Sequence, residues 1–476
     1  MSRINTNIAS MNAIGKLVAN NNDLTTRLQR LSSGLRINAG KDDPAGLIAS
    51  ENLRSEMAGL RGGIANSIRA SSVISTAEGA LNEVSALLID IKELLVTTAS
   101  KGGLSTEEID ANQMQVDSAI NSIERIANST EFEGKKLLNG NLDYNTDPLT
   151  AGEVEDVQIN SAKLIDGAAM AVAINQTVAA DQGSVTFTWA AANTTTQAQV
   201  TIQVSSNRGT TELTFAAGTD LATIATAVNA VSEITGVTAV AGVLTAVDYG
   251  SNAYAKVEII SDPAGASELE IGGAAGTGES EVDYGVDAVA VVNGTSAIGD
   301  GRELTVRTGM LDAKITMDAA LGVGTSTVTI TSGGADFAIG SRVDAIGMEA
   351  IGIMNTAPSQ LGNITDGYLN TLKSGMTNAL SSDNLYTAQK IVDDAIKDVS
   401  TLRGRLGAFQ KNILETNVNS LSVALENVTA SESMVRDADF ATETAALTRA
   451  QILVQANTSI LSLANAMPQS VLALLG

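Results

Sequence analysis

The residues from Asp439 to Gly476 constrain this chain more than any other stretch. Read at a heptad, they give Leu453, Asn457, Ile460, Ala464, Met467, Val471 and Leu474, in steps of 4, 3, 4, 3, 4 and 3. That is the seam of a coiled coil or helical bundle. The stretch ends Val471-Leu472-Ala473-Leu474-Leu475-Gly476, almost wholly apolar, and such a surface is expected to be covered by something. The first residues offer a match: Leu17, Asn21, Leu24, Leu28, Leu31 and Leu35 step 4, 3, 4, 3 and 4. Two such seams at opposite ends of a long chain are expected to meet each other, or copies of themselves. The plainer alternative is two terminal helices docked on a globular core.

Between the ends the period changes. A weak helix is expected over 5–36, with Asn20-Asn21-Asn22 at its middle, so packing must hold what propensity does not. A break through Ser32-Ser33-Gly34 and Asp42-Asp43-Pro44 follows, then a long helix over about 45–99 on a face including Leu53, Met57, Leu60, Ile64, Ile68 and Ile74. Ser105 with Glu108 three residues on reads as a capping box for a helix at about 106–128. From about 152 to 335 the pattern turns to short β-rich runs: Ser184 to Trp189, Gln199 to Val204, Glu212 to Phe215, Lys256 to Ile260, Glu303 to Val306 and Ser326 to Ile330, with one helix from Asp220 to Val231. Residues 337–380 carry no clear period. Helix returns at about 383–430, where Val399, Leu402, Leu406, Phe409 and Ile413 step 3, 4, 3 and 4, and Ser431-Glu432-Ser433 is expected to interrupt it.

The expected fold is α+β and multidomain: a discontinuous all-α coiled-coil or helical bundle made by both chain ends, with a mostly-β insertion in the middle. The expected segments are 1–44 and 435–476 as terminal coiled-coil pieces, 45–151 and 337–434 as two parts of a helical core, and 152–336 as the insertion.

Composition narrows the function. The 476 residues include no Cys and no His, which removes disulfides, thiolate or imidazole metal sites and every His-based triad. Adjacent carboxylates such as Asp42/Asp43 and Asp393/Asp394 do not face one way on a helix. Gly272-Gly273-Ala274-Ala275-Gly276 lacks the Lys-Ser/Thr of a phosphate loop. No enzyme activity, cofactor or metal is expected. A net charge of −24 argues against nucleic acid, which calls for basic surface. No run of 18 apolar residues exists, so no membrane insertion is expected. The start, Met1-Ser2-Arg3-Ile4-Asn5-Thr6-Asn7, does not read as a signal peptide.

Leu28-Gln29-Arg30-Leu31-Ser32-Ser33-Gly34-Leu35-Arg36-Ile37-Asn38, followed by Lys41-Asp42-Asp43-Pro44-Ala45-Gly46, closely resembles the N-terminal signature of bacterial flagellin. Arg436-Asp437-Ala438-Asp439-Phe440-Ala441-Thr442-Glu443, then Arg449-Ala450-Gln451-Ile452-Leu453 and the ending from Met467 to Leu475, resembles its C-terminal signature. The stretch Leu221 to Val257 resembles a repeat of flagellin and hook-associated variable regions.

The resemblance implies a structural subunit that polymerises into the helical flagellar filament used for swimming, with its terminal segments lining a central channel and its middle on the outside. It implies a secreted, extracellular location reached through a type III export apparatus with an export chaperone. The implied partners are copies of itself, filament cap and hook-associated proteins, and other flagellins sharing the filament. It places polymerisation and inter-helix packing on Leu24, Leu28, Leu31, Leu35, Arg36, Leu453, Ile460, Met467, Val471, Leu474 and Leu475. The signature residues are Arg30, Leu31, Ser32, Ser33, Gly34, Asp42, Asp43, Arg436, Asp437, Asp439 and Gln451. It also implies a surface facing an animal innate receptor at Asp90, Lys92, Glu93, Leu94 and Gln115, where the Arg of the family's receptor-contact pattern falls on Asp90 and an assisting Glu falls on Gln115. The alternatives are a minor hook–filament junction protein of the same axial family, or a surface adhesin module carried on a filament.

Overall fold

The structure is a computed structural model. It describes residues 6–475 apart from 101–102, 165–166, 190–194, 197, 241, 263–268, 272–273, 276–277, 345 and 383, with side chains also left out at 189, 269, 274–275 and 468–475. The helices are α1 Ile8–Ser33, α2 Pro44–Thr98, α3 Thr106–Ser129, α4 Leu221–Ala230, α5 Ser232–Thr235, α6 Leu385–Phe409, α7 Thr416–Arg436 and α8 Phe440–Leu475. A π-turn over Gln410–Glu415 joins α6 to α7. Two compact units result: Met1–Ser71 with Ala338–Gly347 and Gln410–Gly476, and Ser72–Phe337 with Met348–Phe409. The helical bundle from both chain ends and the mostly-β middle are thus present.

In the first unit α1 pairs with α8, antiparallel: Asn7 Nδ2 donates to the Ala464 carbonyl at 2.7 Å near one end, and Arg27 reaches Glu443 near the other. The first part of α2 runs antiparallel to α7. Ser50 Oγ donates to Glu432 Oε1 at 3.1 Å, and Asn417 Nδ2 donates to Ser67 Oγ at 3.0 Å. Small and polar side chains alternate with half-buried Leu and Val on the α1–α8 contact faces, so hydrogen bonds accompany apolar contacts in the pairing.

Three expectations about these helices are corrected. Ser431-Glu432-Ser433 does not interrupt the helix. Ser431 Oγ donates back to the Asn427 carbonyl at 2.8 Å, so the hydroxyl is satisfied inside a helix that runs on to Arg436. Nor does the α6 stripe continue through Ile413. The π-turn holds one extra residue, and Leu414 takes the buried place five positions after Phe409. On α2, Ile68 faces outward and Ser67 and Ala70 are buried instead.

The second unit has a helical part and two β cores. The rest of α2 buries Ile74, Ala77, Leu81, Val84, Leu88, Ile91 and Leu95, steps of 3 and 4 throughout. On α3, Val116, Ile120, Ile123 and Ala127 are buried, and the Ser105–Glu108 capping box forms. The first β core joins an antiparallel sheet in the order Thr295–Ser296, Val289–Val292, Met170–Val178, Gly324–Gly333, Tyr144–Thr146 to one in the order Ile298–Asp300, Glu303–Arg307, Leu311–Met317, Val154–Ala162. Ile174, Leu304, Ile315 and Ile330 fill it. The second places Ser184–Trp189, Val243–Ala246 and Val237–Val240 in one sheet and Tyr254–Ser261, Val200–Ser205 and Thr210–Phe215 in another, with Ile224 and Val228 of α4 in the same core. Asn293 and Gly294, with φ of 47° and 82°, make the tight turn from Val289–Val292 into Thr295–Ser296. That conformation suits a two-residue hairpin and favours Asn-Gly. The expected strand from Ser184 to Trp189 and helix near 221–230 are found. Val154–Ala162, Met170–Val178 and Leu311–Met317 were not anticipated. The stretch 337–380, which shows no clear period, holds short strands at Met348–Ile351, Gly362–Asn363 and Gly367–Tyr368 and a 3₁₀ turn at Leu369–Leu372.

Candidate assembly surface

The residues from the two ends of the chain that resemble signatures come together in the first unit. Gly34 ends α1 in the left-handed conformation, φ 74°, and its N–H returns to the Arg30 carbonyl. The chain then runs beside the turn between α7 and α8. Arg36 N donates to the Arg436 carbonyl at 2.7 Å, and Ala438 N donates to the Gly34 carbonyl at 2.9 Å. Leu35 and Asp437 face each other in this antiparallel bridge. Arg36 adds a side-chain bond to the Val435 carbonyl at 2.6 Å, and Arg436 bonds Glu51 at 3.2 Å.

The acidic residues near the ends of these helices act on backbone. Asp42 accepts from Ala39 N at 2.9 Å and Asn38 N at 3.2 Å, closing the turn before α2. Those N–H groups hold its carboxyl below the usual range. Asp43 caps α2 by accepting from Gly46 N at 2.9 Å. A Cβ at Gly46 would lie 2.5 Å from Asp43 Oδ2 and 2.7 Å from Ile37 Cδ1, so a larger residue there must displace the capping carboxylate or Ile37. Asp439 caps α8, accepting from Thr442 Oγ1 at 2.8 Å and Ala441 N at 2.9 Å, and its carboxyl too is held low, by Thr442 first. Ser33 Oγ accepts from Asn38 Nδ2 at 2.8 Å, and Ser433 Oγ donates to Asp437 at 2.5 Å. Ser32 and Gln451 are exposed.

One ionic cluster spans the α1–α8 pair. Glu443, buried, accepts from Arg27 Nη1 at 3.0 Å and Arg30 Nη1 at 3.1 Å. Burial works to raise its carboxyl, but the two guanidinium groups outweigh it and the net shift is downward. The hydrogen bond that Arg27 donates to Glu443 raises the arginine's own pKa in turn. Neither Arg27 nor Glu443 is among the anticipated packing residues. Their signal is present in the sequence: cations at i and i+3 on α1, and an acid in the first turn of α8.

The seam between α1 and α8 is shifted by one residue from the expected one at several positions. On α1, Ala13, Leu17, Asn20, Leu24, Arg27 and Leu31 turn inward, and Leu28 is 50% exposed. On α8 the inward set is Glu443, Leu447, Ala450, Val454, Asn457, Leu461 and Ala464, again in steps of 4 and 3, while Leu453, Ile460 and Met467 are exposed. The reason is that each helix carries two adjacent apolar stripes. The inner one alternates half-buried Leu and Val with small and polar side chains that permit close approach, such as Ala13, Asn20, Ala450, Asn457 and Ala464, and further large side chains are left on the outer face. Ile8, Met11, Ile14 and Val18 on α1, with Ile452, Leu453, Ile460, Leu463 and Met467 on α8, form these outer stripes. Leu35 is half-buried. The side chains of Val471, Leu474 and Leu475 lie outside the described residues, and the α8 backbone continues to Leu475.

In the second unit Asp90, Glu93 and Gln115 are exposed, Leu94 is half-buried, and Lys92 Nζ is paired with Asp393 at 2.7 Å. Among the described residues, no group of three or more Asp or Glu could hold a metal ion, and no helix is long and apolar enough to cross a membrane.

Three family models match the chain: the bacterial flagellin N-terminal helical region over residues 4–143, the flagellin C-terminal helical region over 389–475, and the flagellin hook IN motif over 191–248. Flagellin of Salmonella typhimurium is 29% identical over 517 residues, covering 99% of each chain. B-type flagellin of Pseudomonas aeruginosa is 29% identical over 497 residues, again covering 99% of each. The solved flagellar junction protein FlgL from Legionella pneumophila is 13% identical, covers 82% of this chain and 99% of its own, and superposes with a TM-score of 0.29, a likeness too distant to weigh. Both terminal regions match flagellin models in order, and the full-length relatives are flagellins: the chain belongs to the bacterial flagellin family.

Proposed function

We infer that this chain is a structural subunit of the bacterial flagellar filament, an extracellular polymer that serves swimming, and that it has no catalytic role. The observation that carries the reading is the α1–α8 pair: its inner seam is closed within one chain while its outer stripes, from Ile8 to Val18 and from Ile452 to Met467, remain exposed. Apolar stripes of that extent call for cover. Repeated heterologous contacts between copies supply it and build an open helical polymer. In this reading 1–44 and 435–476 line the central channel, the helical pieces 45–151 and 337–434 surround them, and 152–336 lies outermost. Self-assembly and contact with hook and cap proteins follow from family membership. Delivery by an export chaperone and a type III apparatus, and a filament shared with other flagellins, are further parts of the proposal.

The test is electron microscopy of filaments sheared from cells in which this chain is the sole flagellin gene product, with the subunit identified by mass. Long filaments built mainly of this chain are expected. Its presence in a few copies at the filament base would favour the junction-protein reading and overturn this one.

A further inference from the structure

In the second unit, the hairpin made by Gly362–Asn363 and Gly367–Tyr368 is held at its base and at its tip by different forces. At the base Leu361, Leu369 and Leu372 are buried, and Leu369 N donates to the Leu361 carbonyl at 2.9 Å. At the tip Ile364 and Thr365 are exposed, and Asp366 N closes the turn by donating to Asn363 Oδ1. Polar contacts tie this tip to one stripe of α6. Lys390 Nζ donates to Asp366 Oδ1 at 3.4 Å, Asn363 Nδ2 donates to Asp394 Oδ2, and the Gly362 N–H points at Asp398 Oδ2 from 3.5 Å. Positions 390, 394 and 398 follow one another at i, i+4 spacing on one helix face, so the hairpin lies along α6 as a clasp with three rungs.

The clasp stands between two cavities of the second unit, one of about 400 Å³ bordered by Asp394 and Asp398 and one of about 500 Å³ bordered by Asp366 and Lys390. Asn363 and Thr365 border both. The rungs differ in charge. Lys390 and Asp366 join opposite charges, whereas Asp394 and Asp398 place two carboxyls in succession. Facing them are Glu155 and Asp156 of the strand Val154–Ala162, Glu303 of the strand Glu303–Arg307, and Asp143. Arg302 pairs with Glu155, and Lys314 with Glu303. Lys397 is the α6 cation on this wall. The Tyr144 and Tyr368 hydroxyls are both pushed up by burial and stay neutral. Burial first, and then the Asp394 charge, pushes the Asp398 carboxyl up to about 6, and burial raises Asp394 as well. Lifting the hairpin lets water reach both carboxylates, which relieves that cost.

We propose that the hairpin Gly362–Tyr368 is an acid-closed clasp: a proton on Asp398 keeps it seated on α6, and its local opening, which joins the two cavities, is favoured when Asp394 and Asp398 are both charged. The sign follows from linkage. Asp398 has an ordinary value of 3.8 when hydrated and about 6 when covered, so its contribution to closure is fully present below about 3.8 and is lost as pH rises through about 6. Between about pH 5 and about pH 7.5 the opening constant is expected to rise about ten-fold.

Amide exchange of residues 361–369 in the full-length monomer at those two pH values, corrected for the intrinsic pH dependence of exchange, reads the opening directly. Protection about ten-fold lower at the higher pH is expected in the hairpin, while the buried stretch of α6 around Val399 stays protected. Asp398→Asn is neutral at both pH values and should hold the hairpin closed at both. Asp394→Asn removes the neighbouring charge and should move the midpoint of the wild-type response to lower pH. Equal wild-type protection at the two pH values would overturn the proposal, as would a full pH response in Asp398→Asn. A loss of protection spread evenly over α6 and the strands would overturn it too, since the whole unit would then be loosening without a clasp. Circular dichroism checks that each variant folds; if one does not, the wild-type profile decides alone.

Discussion

Glu443 in α8 receives a hydrogen bond from Arg27 in α1 at 3.0 Å, a contact across 416 positions of sequence. With Arg30 it is the strongest ionic tie in a pair whose seam is otherwise made of Ala, Asn and half-buried Leu and Val. Replacing Glu443 by Ala removes this acceptor from both guanidinium groups, while Arg27 keeps its Nε bond to Asp23 at 3.1 Å. Because both arginines keep partial access to water, the expected loss is about 2 kcal/mol, toward the lower part of the range for charge-assisted bonds. The pH dependence has a definite sign. The folded pKa lies below the ordinary value of 4.5, so this stabilisation is present above that value and is lost as pH falls through the folded pKa. Amide exchange in α1 and α8 at neutral pH and at about pH 3 measures it. Equal exchange rates in wild type and E443A at neutral pH would remove the cluster from the account.

Asp398 on α6 shows the opposite dependence. It borders a cavity of about 400 Å³ within the second unit. Burial pushes its carboxyl up to about 6, the Gly362 N–H at 3.5 Å opposes this, and the Asp394 carboxylate adds to it. Lys314 and Lys397 pull weakly the other way. From the facing sheet come Glu155, Asp156 and Glu303, and from the other walls Asp143 and Tyr368, so acids outnumber lysines. A folded pKa above the ordinary value of 3.8 means that this group's contribution is fully present below about 3.8 and is lost as pH rises through about 6. The expected consequence is a fall in the stability of the second unit across that window, of order 2 kcal/mol. Asp398→Asn should flatten it and raise the thermal midpoint at neutral pH. Parallel pH profiles for the two proteins would refute the assignment.

How much of this was legible in the sequence depends on which force set each element. Heptads and caps were readable because they are local: Leu17, Leu24 and Leu31 lie on the inward side of α1, and Ser105 caps α3 through Glu108. The register was readable only to within one residue. Apolar character ranks Leu28 over Arg27 and Ile460 over Leu461, yet the inner seam takes the residues that let helices approach or make ion pairs. That choice is fixed by the partner helix. The π-turn after Phe409 has no local signal, since one extra residue is accommodated by packing on both sides. Strands such as Leu311–Met317 did alternate, burying Leu311, Ala313, Ile315 and Met317, but Ala at an inward position weakens the pattern. The charge of Glu443 concealed its burial, because burial of an acid becomes tolerable only when two arginines from the far end of the chain arrive.

Removing Val471 to Gly476 is expected to abolish polymerisation while the rest of the molecule stays folded. The removed side chains are Val, Leu, Ala, Leu and Leu followed by Gly, and each Leu fully buried between copies is worth roughly 1.5–3 kcal/mol, repeated at every subunit added. Sedimentation of seeded filaments tests assembly, and circular dichroism of the monomer tests the fold. Normal filaments from the truncated chain would contradict the assembly role given to its end.

The surface that resembles the family's receptor-contact pattern yields the last prediction. Ile89-Asp90-Ile91-Lys92-Glu93-Leu94-Leu95-Val96 occupies α2, with Ile91 and Leu95 buried and Asp90 and Glu93 exposed. Asp90 therefore stands on solvent-facing helix where the resemblance implies an Arg, and the exposed Gln115 of α3 stands where it implies a Glu. The change at position 90 reverses charge by two units and removes a five-donor guanidinium. Lys92 does not compensate, because its ammonium is tied to Asp393 at 2.7 Å. At a desolvated contact, losing such an anchor costs about 2–5 kcal/mol, and a carboxylate left against the receptor adds to the loss. Weak or absent activation of the animal flagellin receptor by the purified monomer is expected, with a gain on Asp90→Arg. As Asp90 is exposed, the substitution should leave the thermal midpoint unchanged, which separates recognition from folding. A reporter-cell dose response of both proteins measures the effect: wild-type potency equal to that of a strongly detected flagellin, or no gain from Asp90→Arg, would end the idea.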